Sequence, residues 1–350
     1  MSFGAMSHRV MFLIEVELDD GTVGRVESWA NYPSWAWEER LATVRHGLRP
    51  LLIGAEIEDV VAFHGQLLRR LLPLGRQWGA PGPVYQAGSG ADVALWDALA
   101  RRRGVALVEL LGGPAHDSLL AYGSSLGPGD VVATAERCGA MGLRAVKVKV
   151  GFGREHDLRS VRDARSVLGP NVRLFADANQ AWTVAEALDM AGVLRDEGVE
   201  WLEEPVADDR VYDLRDITQA SGLALATGEN VYGTDAFRDL AASGAVRILQ
   251  LDLTKCGGVT SYLAAVEAVE PFGVTVNPHL YNGAVAVAST VNVAMSVRST
   301  NLLEWDVRSN PLRADVDHLL RDDGTVVLPT GPGTGAELNL DRLVELEEHS

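Results

Sequence analysis

The chain reads AVKVKV over residues 145–150, VRLFAD over residues 172–177 and VEWLEEP over residues 199–205. Each stretch contains a short apolar run, and a longer segment with helical spacing separates it from the next. One of these segments begins with a capping box at Thr183 and Glu186. Short apolar runs that alternate with helical segments predict parallel strands joined by crossover helices. This part of the chain therefore indicates an α/β fold.

The same alternation extends in both directions from this stretch. Eight apolar runs occur, at residues 119–122, 145–150, 172–176, 199–202, 223–226, 246–251, 274–276 and 301–303. Eight strands favour a closed barrel over an open sheet. No glycine-rich dinucleotide fingerprint follows the first strand, which also weakens the open-sheet alternative.

The segments on either side of the barrel predict a second unit. Residues 10–18 and 23–27 are typical of two strands around a hairpin turn at Asp19-Asp20-Gly21, and helical patterning follows from residue 38 to 72. Ser89 to Asp92 resembles a capping box, which predicts that a helix begins there and ends near Gly104. We therefore divide the chain into an α+β capping domain (1–115), a barrel (116–310) and a C-terminal segment (311–350) that packs back on the capping domain.

Composition limits the classes of function. The 350-residue chain carries a net charge of −17, which argues against nucleic acid or an anionic membrane surface as a partner. It contains no apolar run of membrane-spanning length, and its start lacks the pattern of a signal peptide. Two cysteines, Cys138 and Cys256, do not form a disulfide framework. We expect a cytoplasmic homo-oligomer that acts on a small molecule.

Charged residues end seven of the eight runs: Lys147 and Lys149, Asp177, Glu203, Glu229, Asp252, His279 and Glu304. From Lys149 onward they are separated by 28, 26, 26, 23, 27 and 25 residues, by subtraction. One barrel unit takes about 25 residues, so these groups recur once per unit. Any one of them alone is more often a solvated loop residue or a helix cap. Together they predict an active site at the carboxyl ends of the strands.

The residues around these positions resemble the enolase superfamily, and within it the mandelate racemase subgroup. The matching motifs are Lys147-Val-Lys149, Asp177-Ala-Asn179-Gln180, Trp201-Leu-Glu203-Glu204-Pro205, Gly228-Glu229-Asn230, Asp252 ahead of Lys255-Cys-Gly-Gly258, Pro278-His279, Leu303-Glu304-Trp305 and Gly90-Ala-Asp92-x-Ala-Leu-Trp96-Asp97. The resemblance covers residues 10–340. It implies a modified TIM barrel, (β/α)7β, with an N-terminal α+β capping domain that the C-terminal segment completes.

The resemblance implies one Mg²⁺ ion, which Mn²⁺ can replace, bound by Asp177, Glu203 and Glu229. These are hard oxygen ligands, which suit Mg²⁺. In the family the first glutamate of the Glu-Glu-Pro motif is the ligand, so we choose Glu203 over Glu204. The metal ion would bind a carboxylate oxygen of the substrate and stabilise the charge that develops there.

The resemblance also implies the acid–base groups. Lys149 is the expected base and Lys147 tunes it, because two adjacent ammonium groups and a nearby metal ion lower a lysine pKa. Asp252 and His279 form a dyad that faces the other side of the substrate. Glu304 resembles the acid that donates a hydrogen bond to the substrate carboxylate, so we expect a raised pKa for it.

Substrate contacts are predicted less directly. Asn179, Trp29 and Tyr32 are the candidates, although the aromatic residues from position 29 to 37 could equally pack the capping domain. The family has a further strand and a substrate-covering loop before the segment that begins at Val10. Residues 1–9 would then be the tail of that region, or the true start lies upstream.

Three functions remain open. Dehydration of a sugar acid to a 2-keto-3-deoxy acid is favoured, because many subgroup members with these residues act on sugar acids. Racemisation or epimerisation of a 2-hydroxy acid or sugar acid would use the same residues. A barrel that binds ligand without catalysis is the third. Asp252 stands where the muconate lactonizing and succinylbenzoate synthase subgroup has a lysine, and we expect Lys255 to be structural.

Overall fold

A two-stranded antiparallel sheet begins the described part of the chain, which in this computed structural model comprises residues 9–338. Its strands are β1 (Phe12–Glu17) and β2 (Val23–Ser28). Gly21 adopts a φ of +83° in the turn between them, which a glycine permits without strain. The predicted hairpin is therefore present. Residues 1–8, which include the predicted tail of a covering region, lie outside the described residues.

Helices pack against this hairpin. They are α1 (Ala36–Ala42), a π-helical turn (Thr43–Leu48), α2 (Arg49–Leu52), α3 (Val60–Trp78), α4 (Pro81–Arg103) and α5 (Leu107–Leu110). The predicted helix start at Ser89 is wrong, because α4 already begins at Pro81. Ser89 lies inside the helix, where its hydroxyl donates to the carbonyl of Tyr85 and accepts from the N–H of Gly257.

Eight parallel strands form the second unit. They are β3 (Leu119–Leu126), β4 (Ala145–Lys149), β5 (Arg173–Asp177), β6 (Val199–Glu203), β7 (Ala224–Thr227), β8 (Ile248–Leu249), β9 (Thr275–Val276) and β10 (Leu302–Asp306). The helices between them are α6 (Val131–Ala140), α7 (Arg154–Leu168), α8 (Val184–Asp196), α9 (Val211–Ser221), α10 (Thr234–Ala242), α11 (Gly258–Val269) and α12 (Ala284–Ser296). Seven strand–helix units followed by a final strand confirm the predicted (β/α)7β order. The capping box at Thr183 and Glu186 is also confirmed.

The strands curl into a barrel. Their hydrogen-bonded order is β10-β3-β4-β5-β6-β7-β8-β9, so the last strand lies beside the first. The two ends of this order are linked by the N–H of Val276, which donates to the carbonyl of Ser299 at 3.1 Å. The side chain of Asn277 also accepts from the N–H of Leu302 at 3.0 Å. These bonds connect the end of β9 to the start of β10 and to the residues just before it. They complete the modified TIM barrel.

Aromatic side chains fill the barrel interior below the strand ends. Phe175 stacks on Trp201 with ring centroids 4.5 Å apart, and Tyr122 meets Phe175 edge-on at 5.4 Å. All three are buried. This layer closes the amino-terminal side of the barrel, so polar side chains further along the strands face only the carboxyl-terminal end.

The capping unit is held to the barrel by buried polar contacts. Glu27 on β2 accepts hydrogen bonds from the N–H groups of Gly283 and Ala286 at the start of α12. Such a contact satisfies helix N–H groups that have no partner within the helix. Burial raises the pKa of Glu27 to about 7. The capping unit is thereby positioned over the strand ends.

The chain after the barrel contacts both units. A 3₁₀ helix (Pro311–Leu319) is followed by β11 (Thr325–Val326), which pairs antiparallel with β3. The N–H of Thr334 donates to the carboxylate of Asp97 on α4 at 2.7 Å. The division at residues 115 and 310 stays a prediction. Among the helices described, none combines the length and apolar character that a bilayer crossing requires.

Candidate active site

The strand ends bring the predicted charged residues together. Lys147 and Lys149 lie on β4, and Asp177 and Glu203 are the last residues of β5 and β6. Lys149 is in register with Asp177, which is in turn in register with Glu203. Adjacent parallel strands end at one edge, so these side chains lie side by side at the barrel mouth.

Lys147 is buried between three carboxylates. Its Nζ lies 2.6 Å from Glu203 Oε2, 2.9 Å from Glu304 Oε1 and 3.6 Å from Asp177 Oδ2. Burial opposes the charge on Lys147, but Glu203 and Glu304 outweigh it and raise its pKa well above the usual value. The carboxylates around Lys147 therefore favour its charged form in this arrangement.

Lys149 pairs with Asp177 and donates to Asn179 Oδ1 at 2.8 Å. Burial lowers the pKa of Lys149, but the Asp177 carboxylate outweighs burial and the repulsion from Lys147, so the pKa is raised. The expected lowering is therefore not found in this arrangement, because Lys149 interacts more strongly with the carboxylate than with the second ammonium. A neutral Lys149 requires that Asp177 be engaged by another cation.

Asp252 and His279 form the predicted dyad. The Nδ1 of His279 lies 2.7 Å from Asp252 Oδ2, and Asp252 Oδ1 accepts from the N–H of Thr254 at 2.7 Å. On its other side, His279 Nε2 lies 2.8 Å from Glu229 Oε2. Burial opposes charge on the imidazole, but Glu229 and Asp252 outweigh it and raise the pKa of His279 well above its usual value.

Glu304, on β10, lies between Lys147 on β4 and the residues that follow β9. Its Oε1 pairs with Lys147, and its Oε2 accepts from the N–H of Leu280 at 3.1 Å. Both partners donate to Glu304. Protonation of Glu304 in a substrate complex stays a prediction.

Glu203, the last residue of β6, and Glu204, which follows it, have different surroundings. Glu203 accepts from Gln250 Nε2 at 2.6 Å, and its Oε1 is buried with no hydrogen-bond partner among the described residues. Glu204, which has a φ of +39°, accepts from Gln180 and Asn230 instead. Of these two glutamates, only Glu203 therefore has a carboxylate oxygen without a hydrogen-bond partner among the described residues, and its choice as the metal ligand stays a prediction.

The carboxylates of this cluster lack a full complement of cations. Burial and the neighbouring Asp177 raise the pKa of Glu203 to about 8. Burial and Glu229 likewise raise the pKa of Glu204 to about 8. Closely spaced carboxylates resist joint ionisation, and a divalent cation relieves that repulsion.

The donor chemistry of Asp177, Glu203 and Glu229 fits a hard divalent cation. As the side chains stand, no three His, Cys, Asp or Glu residues between positions 9 and 338 form a group that could hold a metal ion. Lysine and histidine side chains take up the carboxylate oxygens instead. Binding of a cation would therefore displace these contacts from the three carboxylates.

A cavity of about 120 Å³ opens above this cluster. The predicted residues that line it are Trp29, Lys147, Lys149, Asn179, Glu229, His279 and Glu304. Trp29 meets the ring of His279 edge-on at 5.8 Å. Tyr32 is not among the described residues that line the cavity. Lys255 is buried beside it, where its Nζ donates to Asn230 at 2.8 Å and lies over the ring of Trp29.

Sequence reasoning missed several lining residues: Ser124, Ser125, Phe152, Tyr281 and Arg308. The two serines had a usable signal, because only Gly123 separates them from the first apolar run, the one run to which no polar end was assigned. Phe152, Tyr281 and Arg308 lie in loops after strands, and nothing in the local pattern separates them from ordinary loop residues. Their place in the cavity depends on the assembled barrel.

Two domain families match the chain. Residues 1–112 match "Mandelate racemase / muconate lactonizing enzyme, N-terminal domain", and residues 130–342 match "Enolase C-terminal domain-like". The chain belongs to the mandelate racemase/muconate lactonizing enzyme family of the enolase superfamily. The resemblance drawn from the motifs is thereby confirmed, and so is the fold.

Relatives within the mandelate racemase/muconate lactonizing enzyme family carry different activities. D-galactarolactone cycloisomerase from Agrobacterium fabrum is 32% identical, over 96% of this chain and 91% of that protein. Arabinonate dehydratase from Saccharolobus solfataricus is 27% identical, over 92% of this chain and 86% of that protein. The crystal structure of a mandelate racemase/muconate lactonizing enzyme from Bordetella bronchiseptica RB50 has a TM-score of 0.89 at 36% sequence identity. The match covers 95% of this chain and 93% of that chain. Racemase and epimerase names also occur among the relatives.

Proposed function

We propose that this protein removes the proton α to a carboxylate of a sugar acid and expels the β-hydroxyl, which gives a 2-keto-3-deoxy acid. The observation that carries the proposal is that Lys149 and His279 line one cavity, with the Asp252 dyad behind His279. A base and an acid at one small cavity are what an elimination needs. The names of a dehydratase and a cycloisomerase among the relatives support the same class of reaction.

Lys149 takes the α-proton. It must be neutral to do so, and Asp177 now stabilises its charged form. If Asp177 served as a metal ligand, it would no longer stabilise the charged form, and the pKa of Lys149 would fall. Asp177, Glu203 and Glu229 would hold Mg²⁺ or Mn²⁺, which would supply a Lewis acid for the substrate carboxylate.

His279 gives its proton to the departing oxygen. The carbon–oxygen bond at the β-position breaks, the hydroxyl leaves as water, and the enol that remains rearranges to the keto acid. Asp252 supports the charged imidazole that this step requires. Where the β-oxygen belongs to a lactone ring, the same step opens the ring instead of releasing water. Lys147 and Glu304 lie where they can bind the reacting carboxylate.

Epimerisation is the second candidate, because the racemase and epimerase relatives share this family. In that reaction His279 would return a proton to the α-carbon from the opposite side. The two reactions differ in whether a leaving group departs.

The proposal is tested with a library of sugar acids in D₂O with Mg²⁺, read by a ketone-specific reagent and by NMR of the α-position. We expect a keto acid from at least one member. Exchange of the α-proton without keto acid would mean epimerisation. Neither product nor exchange with any member would leave the non-catalytic barrel as the better account.

A further inference from the structure

Arg308 lies at the mouth of the cavity. It is exposed, two residues beyond the end of β10, and it lines the same cavity as Lys149 and Glu304. Between residues 9 and 338, its guanidinium forms no salt bridge and donates no hydrogen bond, although its backbone N–H donates to Asp306.

The other cations of the cavity are neutralised from within the protein. Lys147 pairs with Glu203 and Glu304, and Lys149 pairs with Asp177. Arg308 alone, among the described lining residues, presents an uncompensated positive charge. A chain with a net charge of −17 offers many carboxylates that could have paired with it.

The surroundings of Arg308 keep the guanidinium free. Asp306 is the adjacent acid, but its carboxylate already pairs with Arg9 at 2.6 Å and accepts from the backbone N–H of Arg308. Gly127 directly follows the neighbouring strand β3, and a Cβ there would lie 2.9 Å from Nη2 of Arg308. A side chain at position 127 would therefore push the guanidinium away from this part of the cavity rim.

We propose that Arg308 binds a second carboxylate of the substrate, so that the protein acts on dicarboxylic sugar acids or their lactones. This inference rests on the proposed function, since the reacting carboxylate is placed at Lys147 and Glu304. Glu304 lies on β10 and Arg308 lies two residues beyond its end, and four residues of extended chain span about 13 Å at most, so the backbone positions of these two residues lie no further apart than that. A guanidinium pairs with a carboxylate through two parallel hydrogen bonds, which a hydroxymethyl group cannot form. Phe152 and Pro128 line the same cavity.

The test compares galactarate with galactonate, and glucarate with gluconate, on the Mg²⁺-loaded full-length enzyme. Each pair differs only at the terminal carbon. We expect Arg308→Gln to lower kcat/KM for the diacid about 10- to 100-fold and to leave the monoacid within about threefold. Arg308→Lys should lose less, because it keeps the charge. Arg298→Gln is the matched control, since Arg298 is an exposed arginine that precedes β10, whereas Arg308 follows it. This control should leave kcat/KM unchanged for both the diacid and the monoacid.

Titration calorimetry with the same acids separates this inference from the proposed function. Diacid binding that weakens in Arg308→Gln supports the inference even if no acid is turned over. If Arg308→Gln loses the same affinity for the diacid and the monoacid, the inference is overturned. It is also overturned if this variant keeps its preference or its affinity for the diacid. Turnover of monoacids alone, unaffected by Arg308→Gln, would overturn the inference and leave the proposed reaction standing.

Discussion

Substitution of Lys147 by methionine tests the charge balance on which the site depends. The ammonium of Lys147 is buried and lies within 2.6 to 3.6 Å of the carboxylates of Glu203, Glu304 and Asp177. Methionine keeps much of the side-chain length but removes the charge. The three carboxylates then face one another with no cation from this position.

The structure sets the expected magnitude. Removal of one partner from a buried ion pair costs about 3 to 5 kcal/mol. Unfolding entropy is about 2.1 cal/mol/K per residue, so for the 350-residue chain this corresponds to a decrease in Tm of about 4 to 7 °C. The loss should shrink as the pH falls below about 8, the pKa to which burial and Asp177 raise Glu203, because a protonated carboxyl group no longer needs a cation.

The assay is thermal unfolding of wild type and Lys147→Met, each in EDTA and in saturating Mg²⁺. We expect the full decrease in Tm in EDTA and a smaller decrease in Mg²⁺, because a bound divalent cation compensates the charge of the same carboxylates. Arg298→Met removes a charge from an exposed position and should change the unfolding free energy by less than about 0.5 kcal/mol. A variant as stable as wild type in EDTA at pH 8 would refute this account of the cluster.

Three further outcomes follow from the site and the fold. Chelation should abolish turnover, and Mg²⁺ or Mn²⁺ should restore it. Glu203→Gln should weaken metal affinity, measured by calorimetry, far more than Glu204→Gln. Equal losses of affinity would mean that the wrong glutamate was chosen. Asp252→Asn should lower kcat about 10- to 100-fold through loss of a charge-assisted bond. It should also shift the alkaline limb of the pH–rate profile to lower pH, because the pKa of His279 falls and the acid form is lost sooner; an unmoved limb would contradict the dyad. Gly24→Ala should destabilise the protein by about 1 to 3 kcal/mol in a denaturant titration, because its Cβ would lie 2.0 Å from a carbonyl of α4; wild-type stability would contradict that packing.

The barrel strands and their charged ends could be predicted because each depends on local pattern. An apolar run followed by a charged residue identifies a strand end without knowledge of its neighbours, as at Asp177 and Glu203. Strand lengths were less predictable. The run at 246–251 contains only the two-residue strand β8.

Features that depend on tertiary contacts could not be read in this way. Ser89 has the sequence of a helix cap, but its hydroxyl bonds to Tyr85 and Gly257 inside a longer helix. Arg308 gains its significance only from the cavity that the assembled strand ends enclose. The pKa of Lys149 depends on which cation occupies Asp177, and the sequence does not specify that balance.

Exchange of the α-proton by two variants tests the central claim most directly. In D₂O with the substrate that wild type converts, His279→Asn should form no keto acid but should still exchange the α-proton, because Lys149 can remove it without expelling the hydroxyl. Lys149→Ala should show neither, and each variant should lose at least about 10²-fold in turnover. If both variants keep wild-type turnover, or if Lys149→Ala exchanges the α-proton at the wild-type rate, Lys149 is not the base and the mechanism is wrong.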